Sequence, residues 1–455
     1  MKYRVADELF SIPWDGKYIL YAPLKRLAFL VNEDTVQLLR LLQNAEFDAD
    51  NDAIARVLET FQALGLINGE PDSRPHAMDE PDTDPTYVTL FPTFDCNLRC
   101  AYCYSMGGDQ PASMPWEIAK AAIDLVCGNA ERRGLKSFEV GFHGGGEPTA
   151  NWTLLVRSVE YARELAADRG LEVSTSLASN CVWSQQQTEW VAANVKGLTV
   201  SLDGPPEIQD LQRPLRGGGG SYGAVARTLK HLDHLGYAYG IRSTVSAASV
   251  EAMSYIVAHF CKEFHPRSIH LEPLFVCGRC LTSGLAAPTP QAFLREYRNA
   301  QDVADANGVR LYYSGARLDS LTSTFCGATG RNLVVLPDGS ITSCLEVCRD
   351  SDPRSSMFFY GKYDPRTGSF RFDRTRQELL QSRSVDRIQG CSDCYLKWHC
   401  AGDCPAKAVA AAGEFLSVGH RCWLNQELAK GHLFDLLTRR ESRSSSALQF
   451  EVLPC

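Results

Sequence analysis

The chain has 455 residues, of which 44% are hydrophobic and 22% charged, and it carries a net charge of −8. That length supplies two or three domains with a sizeable core, and the acidic balance sets aside nucleic acid and an anionic membrane as main partners. No apolar run reaches the roughly 18 residues that span a bilayer, and the N-terminus MKYRVADELFSIPWDG lacks the apolar centre of a secretion signal, so a cytoplasmic protein is expected.

Seventeen cysteines then become informative. Disulfides are disfavoured in the cytosol, where clustered cysteines usually bind metal. In chain order, KYILYAPLKRLAFLVN (17–32) alternates like two short strands around a Pro-containing turn. DTVQLLRLLQN and DNDAIARVLETFQALGLI follow with apolar residues at helical spacing, Asp34 and Asp50 or Asn51 being available as caps. Two strands and two helices predict a winged-helix-like module over residues 1–70. The stretch rich in Pro and Asp that follows reads as a linker, 71–86.

From residue 87 strand and helix patterns alternate through about six βα units, ending near SIHLEPLF. The expected fold class is α/β, with a parallel sheet curled into a partial (β/α)6 TIM-type barrel or doubly wound, over 87–315. Its ligand site belongs at the C-terminal ends of the strands. Residues 316–440 change character, with short strands, turns and patterned cysteines, and predict a separate cysteine-bearing domain. A polar tail, 441–455, completes the chain.

CNLRCAYCYS places Cys96, Cys100 and Cys103 just after the first barrel strand. Structural zinc wants four ligands, and no fourth cysteine is near in sequence. A cubane iron–sulfur cluster takes one thiolate per iron, so three cysteines would leave one iron open to a non-protein ligand. The second strand runs into HGGGEP, whose glycines let backbone approach a ligand and whose Glu147 could accept hydrogen bonds from an ammonium. Ser179 and Asn180 end the third strand; Ser201 and Asp203 end the fourth, with Arg213 soon after. Polar groups at successive strand ends suit a nucleoside with a charged tail, although each alone also reads as a cap or turn residue. Cys277 and Cys280 form a CxxC after the sixth strand. Cys127, Cys181 and Cys261 read as core packing, and nothing is assigned to Cys455.

CNLRCAYC resembles the CxxxCxxC signature of radical S-adenosylmethionine (radical SAM) enzymes, and HGGGEP resembles their glycine–glycine–glutamate motif, here Gly145, Gly146 and Glu147. SLDGP with a following Arg is similar to a stretch of the peptide-modifying branch. The resemblance implies a [4Fe–4S] cluster whose open iron chelates S-adenosylmethionine, and reductive cleavage to a 5′-deoxyadenosyl radical that abstracts hydrogen. Cys326, Cys344, Cys391, Cys394, Cys400, Cys404 and Cys422 are spaced as in a SPASM domain. That likeness implies two auxiliary [4Fe–4S] clusters, three clusters in all: Cys326, Cys344 and Cys404 on the first auxiliary one, and Cys391, Cys394, Cys400 and Cys422 on the second. Eight ligands are needed and seven are supplied, which leaves the first open or ligated by Cys348, Cys277 or Cys280.

The N-terminal module resembles a RiPP recognition element, which binds a leader peptide as an added strand; YILYAP and LAFLVN are the strands expected to present that edge. The implied activity is maturation of a precursor peptide with its leader, giving a thioether, C–C or ether cross-link or an epimer, with an electron donor such as flavodoxin or ferredoxin as a further partner. A sulfatase-type formylglycine maturase is the alternative, as is a maturase of a larger enzyme subunit. Those sulfatase relatives carry an acidic residue where Leu345 stands, and Glu346 is one position on. A non-catalytic iron–sulfur electron carrier is the reading from a different class.

Overall fold

Residues 3–44, 52–75 and 84–441 are described by the computed structural model. Near the N-terminus β1 (Phe10–Trp14), β2 (Lys17–Ala22) and β3 (Leu27–Val31) form an antiparallel sheet in that order. Alternation gives the sheet two apolar faces. Leu20, Ala22 and Leu27 pack on Leu39, Leu42, Leu58 and Phe61 of helices Glu33–Asn44 and Asp52–Ala63. Ile12, Ile19, Tyr21 and Ala28 face Leu433 and Phe434 of the C-terminal helix Cys422–Glu441.

The sequence predicts two strands here, and the third, β1, contains Pro13. Proline removes a ladder donor and is confined to sheet edges, which is where β1 lies. Its presence makes β2 central, paired on both sides. The expectation that YILYAP presents an open edge is therefore overturned; among the described residues β3 keeps its outer edge unpaired.

The six βα units form as predicted. β4 (Tyr87–Leu90), β5 (Ser137–Phe142), β6 (Glu172–Ser179), β7 (Gly197–Ser201), β8 (Gly240–Val245) and β9 (Ser268–Pro273) pair in parallel, each with the next. The connecting helices, such as Trp116–Arg132 with Ile118, Ala119, Ala122, Ile123 and Val126 on one stripe, cover the outside. Phe138, Val140 and Phe142 of β5 face those helices, as do Leu198 and Val200 of β7. The alternate positions are small or polar, and Thr89, Gly141, Ser176, Thr199 and Tyr312 line a solvent-open cavity of about 910 Å³ inside the curve of the sheet.

The sheet does not stop at six strands. β10 (Arg310–Tyr312) adds in parallel to β9, and β11 (Leu333–Val335) adds in parallel to β4. β12 (Ser340–Thr342), β13 (Phe359–Asp364) and β14 (Ser369–Phe372) continue antiparallel, making one 11-stranded sheet. The cysteine-rich region thus extends the barrel's own sheet rather than standing apart from it. Three-residue strands such as β10 and β11 are too short to show a period. Among the described residues no helix is long and apolar enough to cross a membrane.

Candidate active site

The loop after β4 carries Cys96, Cys100 and Cys103 at the C-terminal end of the barrel. Leu98 N–H donates to Cys96 Sγ at 3.4 Å, and Gly107 N–H donates to Cys103 Sγ at 3.4 Å. Burial, then the Glu147 charge, pushes the Cys96 thiol up to about 12; burial alone is the main cause for Cys100, pushed up to about 11. Bare thiolates are therefore costly here, and a cationic centre is what would stabilise them.

Neighbouring segments clamp this loop. Arg279 N–H donates to Cys103 O at 3.0 Å, while its guanidinium reaches Cys100 O at 3.0 Å and Gly107 O at 3.1 Å. A Cβ on Gly278, whose φ is +55°, would lie 2.4 Å from Cys103 O, so only glycine permits this approach. The CxxC segment thus braces the cysteine loop through its backbone and Arg279, and Cys280 Sγ is directed at Leu285 O, 3.3 Å away. Arg349 Nε donates to Ser105 O at 2.8 Å, with its guanidinium 4.4 Å from the Phe94 ring. Sequence reasoning missed Arg279 and Arg349, since a single Arg beside a cysteine carries no periodic or spacing signal.

HGGGEP interlocks with the same loop. Tyr104 Oη donates to Gly144 O at 3.1 Å, Ser105 Oγ donates to Gly145 O, and Glu147 N–H donates to Asp95 O at 2.8 Å. A Cβ on Gly146 would lie 2.0 Å from Asp95 O, and one on Gly145 2.1 Å from the Phe94 ring. Glu147 is only 3% exposed. Its carboxylate accepts from Ser179 Oγ at 2.6 Å, Thr149 Oγ1 at 2.8 Å and the N–H groups of Asn180 and Thr149 at 2.9 and 3.2 Å. Burial raises its pKa and these bonds oppose that rise. Asn180 Nδ2 donates to Asn97 Oδ1 at 2.7 Å, so Glu147, Ser179 and Asn180 join one network ending on the cysteine loop.

The fourth strand supplies a second network. Asp203 accepts from Tyr102 Oη at 2.6 Å, Gln212 Nε2 at 2.9 Å and Thr244 N–H at 3.0 Å. Arg213 Nη1 donates to Tyr102 Oη at 2.7 Å, while its buried Nε has no partner. Tyr102, between two of the cysteines, is thereby anchored from below. Ser201 stands in register with Arg242, His270 and Tyr312, so all four share the cavity face. Among the described residues the Ser201 hydroxyl has no hydrogen-bond partner, and Arg242 has neither a hydrogen bond nor an ion pair. His143 accepts from Gly144 N–H at 2.9 Å and stacks on Phe91; burial, then the Arg242 charge, lowers its pKa to about 4, so it is neutral at pH 7.

Cys391, Cys394, Cys400 and Cys422 line one small cavity. Asn425 Nδ2 donates to Cys400 Sγ at 3.3 Å and Gln426 Nε2 to Cys394 Sγ at 3.3 Å, a donor shell of the kind that orients and tunes metal thiolates. Cys326, Cys344 and Cys404 form another set close enough for their charges to act on one another. Among the described residues no three His, Cys, Asp or Glu groups could hold a single metal ion; a cubane needs instead one thiolate at each iron. These donor sets fit iron–sulfur clusters: all sulfur, grouped as three, three and four. Cys348 packs with Phe91, Phe94, Val334 and Leu336, with its charge felt by Tyr104 and Cys103 as its cysteine neighbour. Cys127 and Cys181 are buried in the main core, Cys261 packs against it, and Cys455 lies outside the described residues.

Residues 90–245 match the Radical SAM superfamily. The chain is 24% identical over 353 residues to a serine-type anaerobic sulfatase-maturating enzyme of Klebsiella aerogenes, covering 73% of this chain and 83% of that one. It is 28% identical over 231 residues to an Fe-coproporphyrin III synthase of Methanosarcina barkeri, covering 50% of this chain and 52% of that one. Among solved structures, anSMEcpe with bound AdoMet matches with a TM-score of 0.61 at 18% identity, over 78% of this chain and 95% of that one. SuiB of Streptococcus suis, bound to precursor peptide SuiA, matches with a TM-score of 0.50 at 14% identity, over 91% of this chain and 98% of that one.

Proposed function

We propose that this enzyme, whose residues 90–245 are a radical SAM domain, is a peptide maturase that abstracts hydrogen from a ribosomally made precursor, leaving a cross-link or an epimer. When bound, a [4Fe–4S] cluster with S-adenosylmethionine on its open iron supplies a 5′-deoxyadenosyl radical. Cys96, Cys100 and Cys103 would hold that cluster. The interlock of the cysteine loop with Gly144, Gly145 and Gly146 is the observation that carries the reading: a ligand on the sulfurs would lie against the backbone of the glycine loop.

Glu147, Ser179 and Asn180 fix the glycine loop and the third strand end in one geometry, and Asp203 fixes Tyr102 between Cys100 and Cys103. The partnerless Nε of Arg213 and the hydroxyl of Ser201 on the cavity face remain as donors for a charged or hydroxylated ligand. Arg242 offers the cavity a cation for a carboxylate-bearing residue of the peptide. Cys326, Cys344 and Cys404 would hold a first auxiliary cluster, and Cys391, Cys394, Cys400 and Cys422 a second. The outer edge of β3 would take the leader as an added strand. A likeness to SuiB over 91% of this chain, against 78% for anSMEcpe, supports a substrate that engages the N-terminal module too. Flavodoxin or ferredoxin would supply the electron.

Sulfatase maturation is the second reading, favoured by the Klebsiella relative. Leu345 weighs against it, since the acidic residue expected there is absent. The test is 5′-deoxyadenosine formation by the anaerobically reconstituted chain with S-adenosylmethionine and dithionite, before and after adding a candidate precursor peptide. Product that disappears in Cys96→Ala supports the assignment. A fully iron-loaded chain that gives none, with or without peptide, overturns it.

A further inference from the structure

The first auxiliary set is one ligand short, and the three spare cysteines that could complete it are engaged elsewhere. Cys348 sits in the apolar cluster beside the Cys103 loop. Cys280 is turned toward Leu285 O. Cys277 belongs to the segment whose Gly278 and Arg279 are pressed against Cys103; the Glu346 and Lys407 charges reach it, but none of the three thiols is among the main influences on it.

Glu346 connects two members of the set: it follows Cys344 by two residues, and its carboxylate reaches Lys407, three residues after Cys404. After burial, its negative charge is the largest influence raising both the Cys344 and the Cys404 thiols, and it acts on Cys326 as well. One carboxylate oxygen, Oε1, lies 3.8 Å from Lys407 Nζ. The other, Oε2, is buried and accepts no hydrogen bond. A buried carboxylate oxygen without a partner is costly, and an iron held by the three thiols would supply one.

We propose that Glu346 is the fourth protein ligand of the first auxiliary cluster, binding through Oε2 while Oε1 stays on Lys407. The inference rests on the auxiliary-cluster reading above. It makes that cluster site-differentiated, with one oxygen-ligated iron among three held by thiolate. Carboxylate is a harder ligand than thiolate, so this iron is held less tightly than the other three but more tightly than one without a protein ligand.

The test uses the full chain carrying Cys96→Ala, Cys100→Ala and Cys103→Ala, which leaves only the auxiliary sites. Reconstituted anaerobically, this parent should hold about eight irons and show little [3Fe–4S] electron paramagnetic resonance signal after brief ferricyanide treatment. Adding Glu346→Ala should lower iron by about one per chain and convert most of the first cluster to the [3Fe–4S] form. Adding Glu346→Cys should restore both iron and resistance, which separates ligation from a general folding defect. Equal iron and equal resistance in the parent and Glu346→Ala would sink this proposal alone. A parent that binds no iron would overturn the auxiliary-cluster reading itself.

Discussion

Arg421 donates to Glu272 across the seam between the cysteine-rich region and the barrel, Nη1 to Oε2 at 2.6 Å, while its second amino group engages Asp403. Glu272 belongs to β9, Asp403 precedes Cys404, and Arg421 precedes Cys422. All three side chains are buried. Burial, the largest single influence, would raise the Glu272 pKa, but the Arg421 guanidinium, the His270 hydrogen bond and the His270 and Lys407 charges together outweigh it and hold the carboxyl well below the usual range. One buried cation therefore ties the last barrel strand to ligands of both candidate auxiliary clusters.

Arg421→Ala strands two buried carboxylates and should cost about 3–5 kcal/mol. Urea unfolding at pH 7 should show the midpoint fall, and iron retained by the auxiliary cysteines should drop with it. Arg421→Lys should recover only part, because an ammonium lacks the planar fork that serves two carboxylates at once. Unchanged unfolding in Arg421→Ala would mean the seam is held by packing alone.

A second seam joins the N-terminal sheet to the same region. Tyr21 Oη meets His399 Nε2 at 2.6 Å, and His399 Nδ1 faces Ser320 O at 2.8 Å and Arg317 O at 3.1 Å. Two carbonyls at Nδ1 require a proton there, so Nε2 accepts from Tyr21. Tyr21→Phe leaves that nitrogen unsatisfied in a buried site and should cost about 1–3 kcal/mol. Its signature is local: limited proteolysis should release the N-terminal module faster, with iron content of the cysteine-rich region unchanged. Equal cleavage rates would remove the bond from any role in docking the module.

How much of this was legible in the sequence depends on whether a signal was local. The six barrel strands were, because their apolar faces alternate against helices with a clear 3.6 period, and the cysteine spacings spoke for themselves. β1 was hidden by Pro13, harmless only because that strand lies at an edge, a fact of tertiary arrangement. β10 and β11 were hidden by brevity. At the site, Glu147, Ser179 and Asn180 were each expected to meet a ligand; their convergence on one another is a long-range fact linking β5 to β6. The clamp by Arg279 joins residues 179 apart in sequence from the Cys100 carbonyl it binds, and nothing in VCGRC announces it.

The closeness of the two loops gives a sharp expectation for Gly146. A Cβ there would stand 2.0 Å from Asp95 O, a backbone atom that cannot rotate away. Gly146→Ala should push the glycine loop off the cysteine loop and cut 5′-deoxyadenosine formation by two orders of magnitude or more, about 3 kcal/mol in barrier terms. Iron at the proposed auxiliary sites should remain, so total iron should fall by no more than the share of one cluster. Near-normal activity in Gly146→Ala would show that the loops need not touch.

His143 provides a pH test independent of turnover. Burial, then Arg242, lowers its pKa to about 4, against about 6.5 in an unfolded chain. Between those values the unfolded state binds the extra proton, so stability is full above pH 6.5 and declines as pH falls toward 4. By pH 5.5 the loss from this one group should be about 1 kcal/mol. His143→Gln removes the titration while keeping a side chain able to accept from Gly144 N–H. Urea midpoints at pH 7.5 and 5.5 should therefore diverge less in the variant than in the parent by about that amount, other buried histidines cancelling between the two. Parallel pH dependence would mean that His143 is protonated as easily in the fold as outside it, and that the neutral imidazole stacked on Phe91 beside the glycine loop is not the resting state.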